Sequence, residues 1–207
     1  MSAKKYKVNE IFYSLQGEGM WSGTPMVFVR LSGCNLRCPF CDTDHSEFRL
    51  MDVSAIIDAV TKADPDGCGH VCITGGEPLL QLGTDLTDAL HRFYYSVHVE
   101  TNGTRPVPAG VDWITLSPKE DVRYIGPAAK VVLSEAQEVK LVYDGTLPEE
   151  RIERWAQFPA KWHYLQPCDT GDAARNAIIN RATVDYILQH PYTWRLSLQT
   201  HKLLGIK

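Results

Sequence analysis

The sequence contains no long hydrophobic run, since no apolar stretch approaches the roughly 18 residues that a membrane-spanning helix needs. The first residues, 1–7, are rich in lysine and have no apolar segment behind them, so we expect no secretory signal. Positive charge is not in excess, because 21 Lys and Arg face 25 Asp and Glu, giving a formal net charge of −4. This balance argues against a groove that neutralises nucleic-acid phosphates. We therefore expect a cytoplasmic protein that binds neither membranes nor nucleic acid.

Internal repeats, linkers and low-complexity segments are also missing from the 207 residues. The hydrophobic content of 44% and the charged content of 22% are ordinary for a soluble globular protein. A chain of this length is long enough to bury a sizeable core within one domain. We therefore expect residues 1–207 to form a single domain.

The six cysteines are unevenly spread, and three of them, Cys34, Cys38 and Cys41, have C-x3-C-x2-C spacing. Three thiols crowded into one short loop are more typical of metal ligands than of disulfides. Iron–sulfur clusters normally take four cysteine ligands, so three would leave one iron open, as in a catalytic metal site. The alternative is a structural zinc site, for which His45 is the nearest fourth ligand. Cys72 lies within an apolar run and is predicted to be a buried free thiol.

Apolar periodicity predicts strands that alternate with helices along most of the chain, which indicates an α/β fold with a largely parallel sheet. Residues 120–137 have no clear pattern. The predicted strands cover residues 6–14, 26–32, 70–74, 97–101, 113–116, 138–143, 162–165 and 194–198, and the predicted helices cover 52–63, 79–94, 148–158 and 172–189. The first strand is expected at the edge of the sheet. The chain is too short for a typical eight-fold barrel of about 250 residues.

Polar or glycine-rich segments follow one predicted strand after another, and sites in parallel α/β sheets form at the carboxyl ends of strands. Glu18 lies between two glycines, which indicates either a plain turn or a loop whose backbone approaches a ligand. Arg30 lies inside an apolar strand and needs an anionic partner, either a structural carboxylate or the carboxylate of a substrate. The polar or glycine-rich segments that follow predicted strands are residues 32–43, 74–78, 100–103, 117–119, 166–169 and 199–202.

The cysteine spacing, with Phe40 just before the last cysteine, resembles the signature of the radical S-adenosylmethionine (SAM) superfamily. Further motifs occur in a particular order along nearly the whole chain. Together they resemble the 7-carboxy-7-deazaguanine synthase family, which is one family within this superfamily. Each motif is short and weak alone, whereas the ordered set is specific. The set is residues 15–19, Arg30, Asp42-Thr43, Thr74-Gly75-Gly76-Glu77-Pro78, Glu100-Thr101-Asn102-Gly103, Ser117-Pro118-Lys119, Gln166-Pro167 and Gln199-Thr200-His201-Lys202.

The resemblance implies a trimmed radical SAM barrel of the partial, open (β/α)6 type. It implies that Cys34, Cys38 and Cys41 hold a [4Fe–4S] cluster and that SAM is cleaved to a 5′-deoxyadenosyl radical. The radical would take a hydrogen atom from C6 of 6-carboxy-5,6,7,8-tetrahydropterin. Ring contraction with loss of ammonia would then give 7-carboxy-7-deazaguanine, on the route to queuosine and other 7-deazapurines. The protein would therefore be a carbon–nitrogen lyase.

Residue roles also carry over from the resemblance by position. Thr43 would bind Mg²⁺, although a threonine here can equally cap a turn. Lys119 would contact SAM, although an exposed surface lysine is the alternative. The SAM-binding positions are Phe40, Cys41, Asp42, Gly76, Ser117, Pro118, Lys119, Gln166, Pro167, Cys168 and Asp169. The substrate-binding positions are Leu15, Gln16, Gly17, Glu18, Arg30, Thr74, His201 and Lys207.

The group of Lys207 that the resemblance places against the substrate is its α-carboxylate. A docked tail would bring this carboxylate towards the site. Leu203, Leu204 and Ile206 are apolar enough to dock, and Gly205 would let the tail bend.

The resemblance further implies an electron donor such as a flavodoxin, and a homodimer. Two other functions remain open from the residues. One is a radical SAM activase acting on a glycine of a protein partner, for which a small-molecule set such as Gln16, Glu18 and Arg30 would have no purpose. The other is a non-catalytic zinc-binding module.

Overall fold

One open sheet runs through the molecule, which we describe from a computed structural model. The structure describes residues 4–44, 47–64, 66–120, 122 and 129–207. Within these ranges the sheet has nine strands, in the order β3-β1-β2-β4-β5-β6-β7-β8-β9. The strands are β1 (Tyr6–Leu15), β2 (Pro25–Leu31), β3 (Arg49–Met51), β4 (His70–Gly75), β5 (Ser96–Thr101), β6 (Trp113–Leu116), β7 (Ala136–Tyr143), β8 (Ala160–Pro167) and β9 (Trp194–Leu196).

The sheet is parallel from β2 through β4 to β9, and antiparallel where β1 pairs with β2 and β3. This arrangement confirms the predicted open α/β class. The predicted edge position of β1 needs a correction, because β3 lies outside it and pairs with it from Tyr6↔Met51 to Val8↔Arg49. Three residues are too few to show a period-two pattern, so β3 could not be predicted from its residues.

The helices lie between the strands, and two of them differ from the prediction. The predicted helix over 79–94 is divided into a short 3-10 helix and α2, because Gly83 is extended at φ −135° and begins a new helix. A fifth helix, α5, was not predicted. The helices are α1 (Val53–Ala63), α2 (Thr84–Arg92), α3 (Glu149–Ala156), α4 (Ala173–Gln189) and α5 (Thr200–Leu204), with 3-10 helices at Gly19–Trp21 and Pro78–Leu80.

Helix α1 begins where the sequence predicted, since the carboxylate of Asp52 accepts a hydrogen bond from the Ala55 amide at 3.0 Å. Such a cap satisfies one of the amides that has no partner inside the helix. Pro148 is the N-cap residue of α3, directly before its first turn.

The hydrophobic core has separate regions on the two faces of the sheet. Val27, Val29 and Leu31 are fully buried in the core that also contains α1 and α2. Met26 and Phe28 alternate with them along β2 and pack on the opposite face with Cys72, which confirms that Cys72 is a buried free thiol. Burial of each large apolar side chain contributes roughly 1.5–3 kcal/mol.

The connection from β5 to β6 crosses without a helix, as residues 102–112, all of them described, show. None of the helices in the described ranges is both long and apolar enough to cross a membrane.

Candidate active site

A cavity of about 700 Å³ opens at the carboxyl ends of the parallel strands. It receives side chains from almost every motif that the sequence analysis singled out. Of the predicted site residues, all but Pro118 line its wall: Leu15, Gln16, Gly17, Glu18, Arg30, Cys34, Cys38, Phe40, Cys41, Asp42, Thr43, Thr74, Gly76, Ser117, Lys119, Gln166, Pro167, Cys168, Asp169, His201 and Lys207.

Pro118 instead lines a second cavity of about 580 Å³, which shares Phe40, Val142, Cys168 and Asp169 with the first.

The cysteine loop, residues 34–41, brings three free thiols to the cavity wall. Cys34 and Cys38 are partly buried and Cys41 is exposed. Burial raises the pKa of the Cys34 thiol and of the Cys38 thiol. Among the described residues, no three His, Cys, Asp or Glu side chains are placed to hold one metal ion. His45, the alternative zinc ligand, lies outside the described residues.

Gly75 and Gly76 join the end of β4 closely to the start of the cysteine loop. A Cβ atom on Gly76 would lie 2.1 Å from the Gly33 carbonyl oxygen and 2.9 Å from the Cys34 Cβ. A Cβ atom on Gly75, whose φ is +123°, would lie 2.0 Å from the Leu31 carbonyl oxygen. Only glycine fits at either position, so these residues set the distance between the loop and the sheet.

Lys119 reaches into the cavity from the loop after β6. Its ammonium group donates to the Ser117 hydroxyl at 2.6 Å and to the Ser117 carbonyl at 2.8 Å. Burial lowers the pKa of Lys119, although the Cys38 thiol nearby acts in the opposite direction. Lys119 is therefore not an exposed surface lysine.

We call Glu18, Glu100 and Lys140 the anion group, because two carboxylates share one ammonium in it. Lys140 forms ion pairs with Glu18 and, at 3.5 Å, with Glu100. Burial acts to raise the pKa of Glu100, but the Lys140 charge and hydrogen bonds from Thr74 and Gln16 outweigh it, and the pKa is lowered. Burial likewise opposes the charge of Lys140, yet Glu100 and Glu18 hold its pKa well above the usual range.

The predicted substrate residues Gln16 and Thr74 both donate to Glu100, at 3.2 and 2.9 Å. Glu100 and Lys140 themselves were not assigned a role from the sequence. A signal was present, because Glu138 and Lys140 alternate with the buried Val139 and Leu141 and so place two charges on one face of a buried strand.

We call Glu10, Arg30 and Lys207 the cation group, because one carboxylate serves two cations in it. Arg30 contacts Glu10 at 3.0 Å, and the Lys207 ammonium contacts the same carboxylate at 2.7 Å. Burial acts to raise the pKa of Glu10, and the bonds from Lys207 and Arg30 outweigh it, so the pKa is lowered. Of the two partners proposed for Arg30, the structure shows a structural carboxylate.

The chain after β9 returns to the cavity. A Cβ atom on Gly17 would lie 2.1 Å from the His201 ring, so helix α5 packs directly on the loop between β1 and β2. The Lys207 carbonyl accepts from the Ser14 hydroxyl at 2.6 Å. The predicted docking of apolar tail residues is wrong, because Leu203, Leu204 and Ile206 are all exposed. Polar contacts of Ser14 and Glu10 hold the tail instead.

Helix α5 is also tied to the cysteine loop. Lys202 forms ion pairs with Asp42 at 2.9 Å and with Asp169 at 3.1 Å. These contacts join the loops after β2, β8 and β9 at one edge of the cavity. The Thr43 hydroxyl faces this region and lies 3.4 Å from an Asp42 carboxylate oxygen.

Comparisons with known proteins agree with this geometry. The family model of the radical SAM superfamily matches residues 28–127. A 7-carboxy-7-deazaguanine synthase from Bacteroides thetaiotaomicron is 46% identical over 201 residues, which are 97% of this chain and 98% of the relative. The one from Caulobacter vibrioides is 43% identical over 223 residues, covering 97% and 99%. A crystal structure of QueE from Escherichia coli superposes with a TM-score of 0.74 at 28% identity, covering 94% of this chain and 93% of that one.

The open sheet and the three free thiols at the carboxyl ends of its strands define a radical SAM enzyme. The relatives that are 37–46% identical over nearly the full length are 7-carboxy-7-deazaguanine synthases, which form one family within this class. The chain belongs to the 7-carboxy-7-deazaguanine synthase family.

Proposed function

We propose that this protein converts 6-carboxy-5,6,7,8-tetrahydropterin to 7-carboxy-7-deazaguanine with release of ammonia. The observation that carries the proposal is the division of charge within one cavity. In the cation group two cationic side chains flank one carboxylate, and in the anion group two carboxylates share one ammonium. A substrate with a carboxylate on one side and an N–H-rich ring on the other matches both groups.

The residues present fit a [4Fe–4S] cluster and SAM. Cys34, Cys38 and Cys41 offer three free thiols and would hold the cluster. SAM would lie against the wall formed by Phe40, Cys41, Asp42, Gly76, Ser117, Lys119, Gln166, Pro167, Cys168 and Asp169. When bound, these groups supply the one-electron chemistry that removes a hydrogen atom from C6 of the pterin.

The protein's own part is to bind and orient the substrate. Glu18 and Glu100 would accept hydrogen bonds from the ring N–H groups, and Arg30 would face the substrate carboxylate. The charge of Lys140 lowers the pKa of Glu100 and favours its ionised form, in which both carboxylate oxygens can only accept hydrogen bonds. His201 packs against Gly17 in the cavity wall.

The proposal also includes an Mg²⁺ ion bound at Thr43. Thr43 would provide one hard oxygen ligand, and substrate oxygens and water would complete the coordination, as is usual for Mg²⁺. Its hydroxyl lies on the cavity wall.

A homodimer, a flavodoxin-type electron donor and a cytoplasmic location also belong to the proposal, and the family resemblance alone supports them. A glycyl-radical activase is less well supported, because the charged groups described above suit a small molecule.

The test is incubation of the anaerobically reconstituted protein with SAM, a reductant and the carboxypterin, followed by mass analysis. We expect one product that has lost ammonia, and its formation should stop in the Cys38→Ala variant. A fully loaded protein that cleaves SAM and leaves the carboxypterin unchanged would overturn the proposal.

A further inference from the structure

Ser197 lies between the loop that carries Glu18 and the strand that carries Gln166. Its side chain is buried, with 2% of the residue exposed. The Gly19 amide donates to its hydroxyl oxygen at 3.0 Å, and the hydroxyl donates to the Gln166 side-chain oxygen at 2.8 Å. One hydroxyl therefore contacts both the predicted substrate loop and a predicted SAM-binding side chain.

The direction of these hydrogen bonds determines which end of the Gln166 amide faces the cavity. A backbone amide can only donate, so the Ser197 oxygen accepts from Gly19. The Ser197 hydroxyl in turn donates its single hydrogen to the Gln166 oxygen. With its oxygen held in this way, Gln166 presents its NH₂ group as a donor. The wall of the SAM subsite at this point is therefore a donor, which suits the oxygen atoms of SAM.

We propose that Ser197 is a positioning residue that sets both subsites at once. It orients the Gln166 amide towards SAM, and it fixes the backbone next to Glu18 for the substrate. This inference rests on the proposed function, since it takes SAM and the carboxypterin as the two ligands.

The surroundings of the loop make the effect of Ser197 separable from folding. The Met20 amide also donates to Glu138 at 2.9 Å, and the Thr200 amide donates to the Gly17 carbonyl at 3.0 Å. These bonds keep the loop attached on either side of Gly19 when the Ser197 hydroxyl is lost, so the change is confined to the Gly19 amide and the Gln166 side chain. We therefore expect Ser197→Ala to fold and to load its cluster, with a local change at Gly19 and Gln166.

The test measures ligand binding without turnover. Equilibrium dialysis of reconstituted protein, with no reductant present, gives the dissociation constants of SAM and of the carboxypterin separately. The variants are Ser197→Ala, Gln166→Ala, their double mutant, and Ser22→Ala as the matched control. Ser22 lies in the same loop, and its hydroxyl lies 3.4 Å from the Thr200 hydroxyl. If Ser197→Ala does not fold, Ser197→Cys replaces it, because a thiol of similar size is a weaker donor and acceptor.

Ser197→Ala should weaken the binding of both ligands, each by about 5- to 30-fold, because the Gly19 amide and the Gln166 side chain lose the hydrogen bonds that hold them in position for the ligands. Gln166→Ala should weaken SAM alone, and Ser22→Ala neither ligand. In the Gln166→Ala background, the loss of SAM affinity caused by Ser197→Ala should fall below about 2-fold, as expected for residues that act through one another.

Two results would overturn the inference while leaving the proposed function standing. One is a Ser197→Ala protein that binds either ligand as tightly as the wild type. The other is an undiminished loss of SAM affinity in the double mutant. A wild-type protein that loads its cluster and binds neither ligand would instead overturn the proposed function.

Discussion

Lys140 is the side chain whose removal should cost the most stability in the site. Its side chain is 6% exposed, and it is paired with Glu18 and Glu100, which are 13% and 23% exposed. Removing one partner of a buried ion pair costs about 3–5 kcal/mol. Both carboxylates face the cavity and retain some contact with water. The free energy of unfolding that Lys140→Met loses should therefore lie at or just below the lower end of this range, at about 2–3 kcal/mol.

The loss should also depend on pH in a defined direction. In the wild type the pKa of Glu100 is lowered, so its ionisation stabilises the fold above the ordinary value and this contribution is lost as the pH falls. Without Lys140, burial would raise that pKa, and the ionised carboxylate would then destabilise the fold. The difference between wild type and Lys140→Met should therefore grow as the pH rises from about 5 to about 8.

Urea unfolding followed by circular dichroism measures both effects, on samples of equal cluster content. With a slope of about 2 kcal/mol/M, the midpoint at pH 8 should fall by about 1–1.5 M. Lys62→Met is the matched control, because Lys62 is exposed in the last turn of α1, and its midpoint should hardly move. A Lys140→Met midpoint equal to that of the control, or a loss independent of pH, would refute the reasoning about the anion group.

Three further predictions concern the cofactors and the tail. Cys38→Ala should abolish formation of 5′-deoxyadenosine from SAM, whereas Cys72→Ala should retain it, because the Cys72 thiol is buried among apolar side chains; cleavage that survives in Cys38→Ala contradicts the cluster assignment. Mg²⁺ should raise turnover of the wild type, and Thr43→Ala should reduce that gain several-fold; equal rates with and without Mg²⁺ would exclude the ion. Deletion of Ile206 and Lys207 removes the contacts of the tail with Ser14 and Glu10. The deletion should raise the KM for the carboxypterin about 10-fold and leave SAM binding intact. An unchanged KM would show that the tail takes no part in substrate binding.

Local features of the fold could be predicted wherever neighbouring residues determine them. Asp52 caps α1 through the Ala55 amide, three positions away, and the alternation of Val27, Phe28 and Val29 between the faces of β2 follows from strand geometry. Strand β3 and helix α5 were missed, because three and five residues are too few to show a period.

The sequence by itself determined the chemistry available to this protein, because three closely spaced thiols and the order of the motifs are properties of the chain. The tertiary structure alone decided which groups meet. Glu18 and Lys140 are 122 residues apart, and Gly19 and Ser197 are 178 residues apart, so their contacts depend on strand order and on the position of the loop between β1 and β2. Parallel pairing of β4, β5 and β7 with their neighbours, and not any local propensity, brings Thr74, Glu100 and Lys140 to one cavity, since residues distant in sequence meet only through the register of the whole sheet.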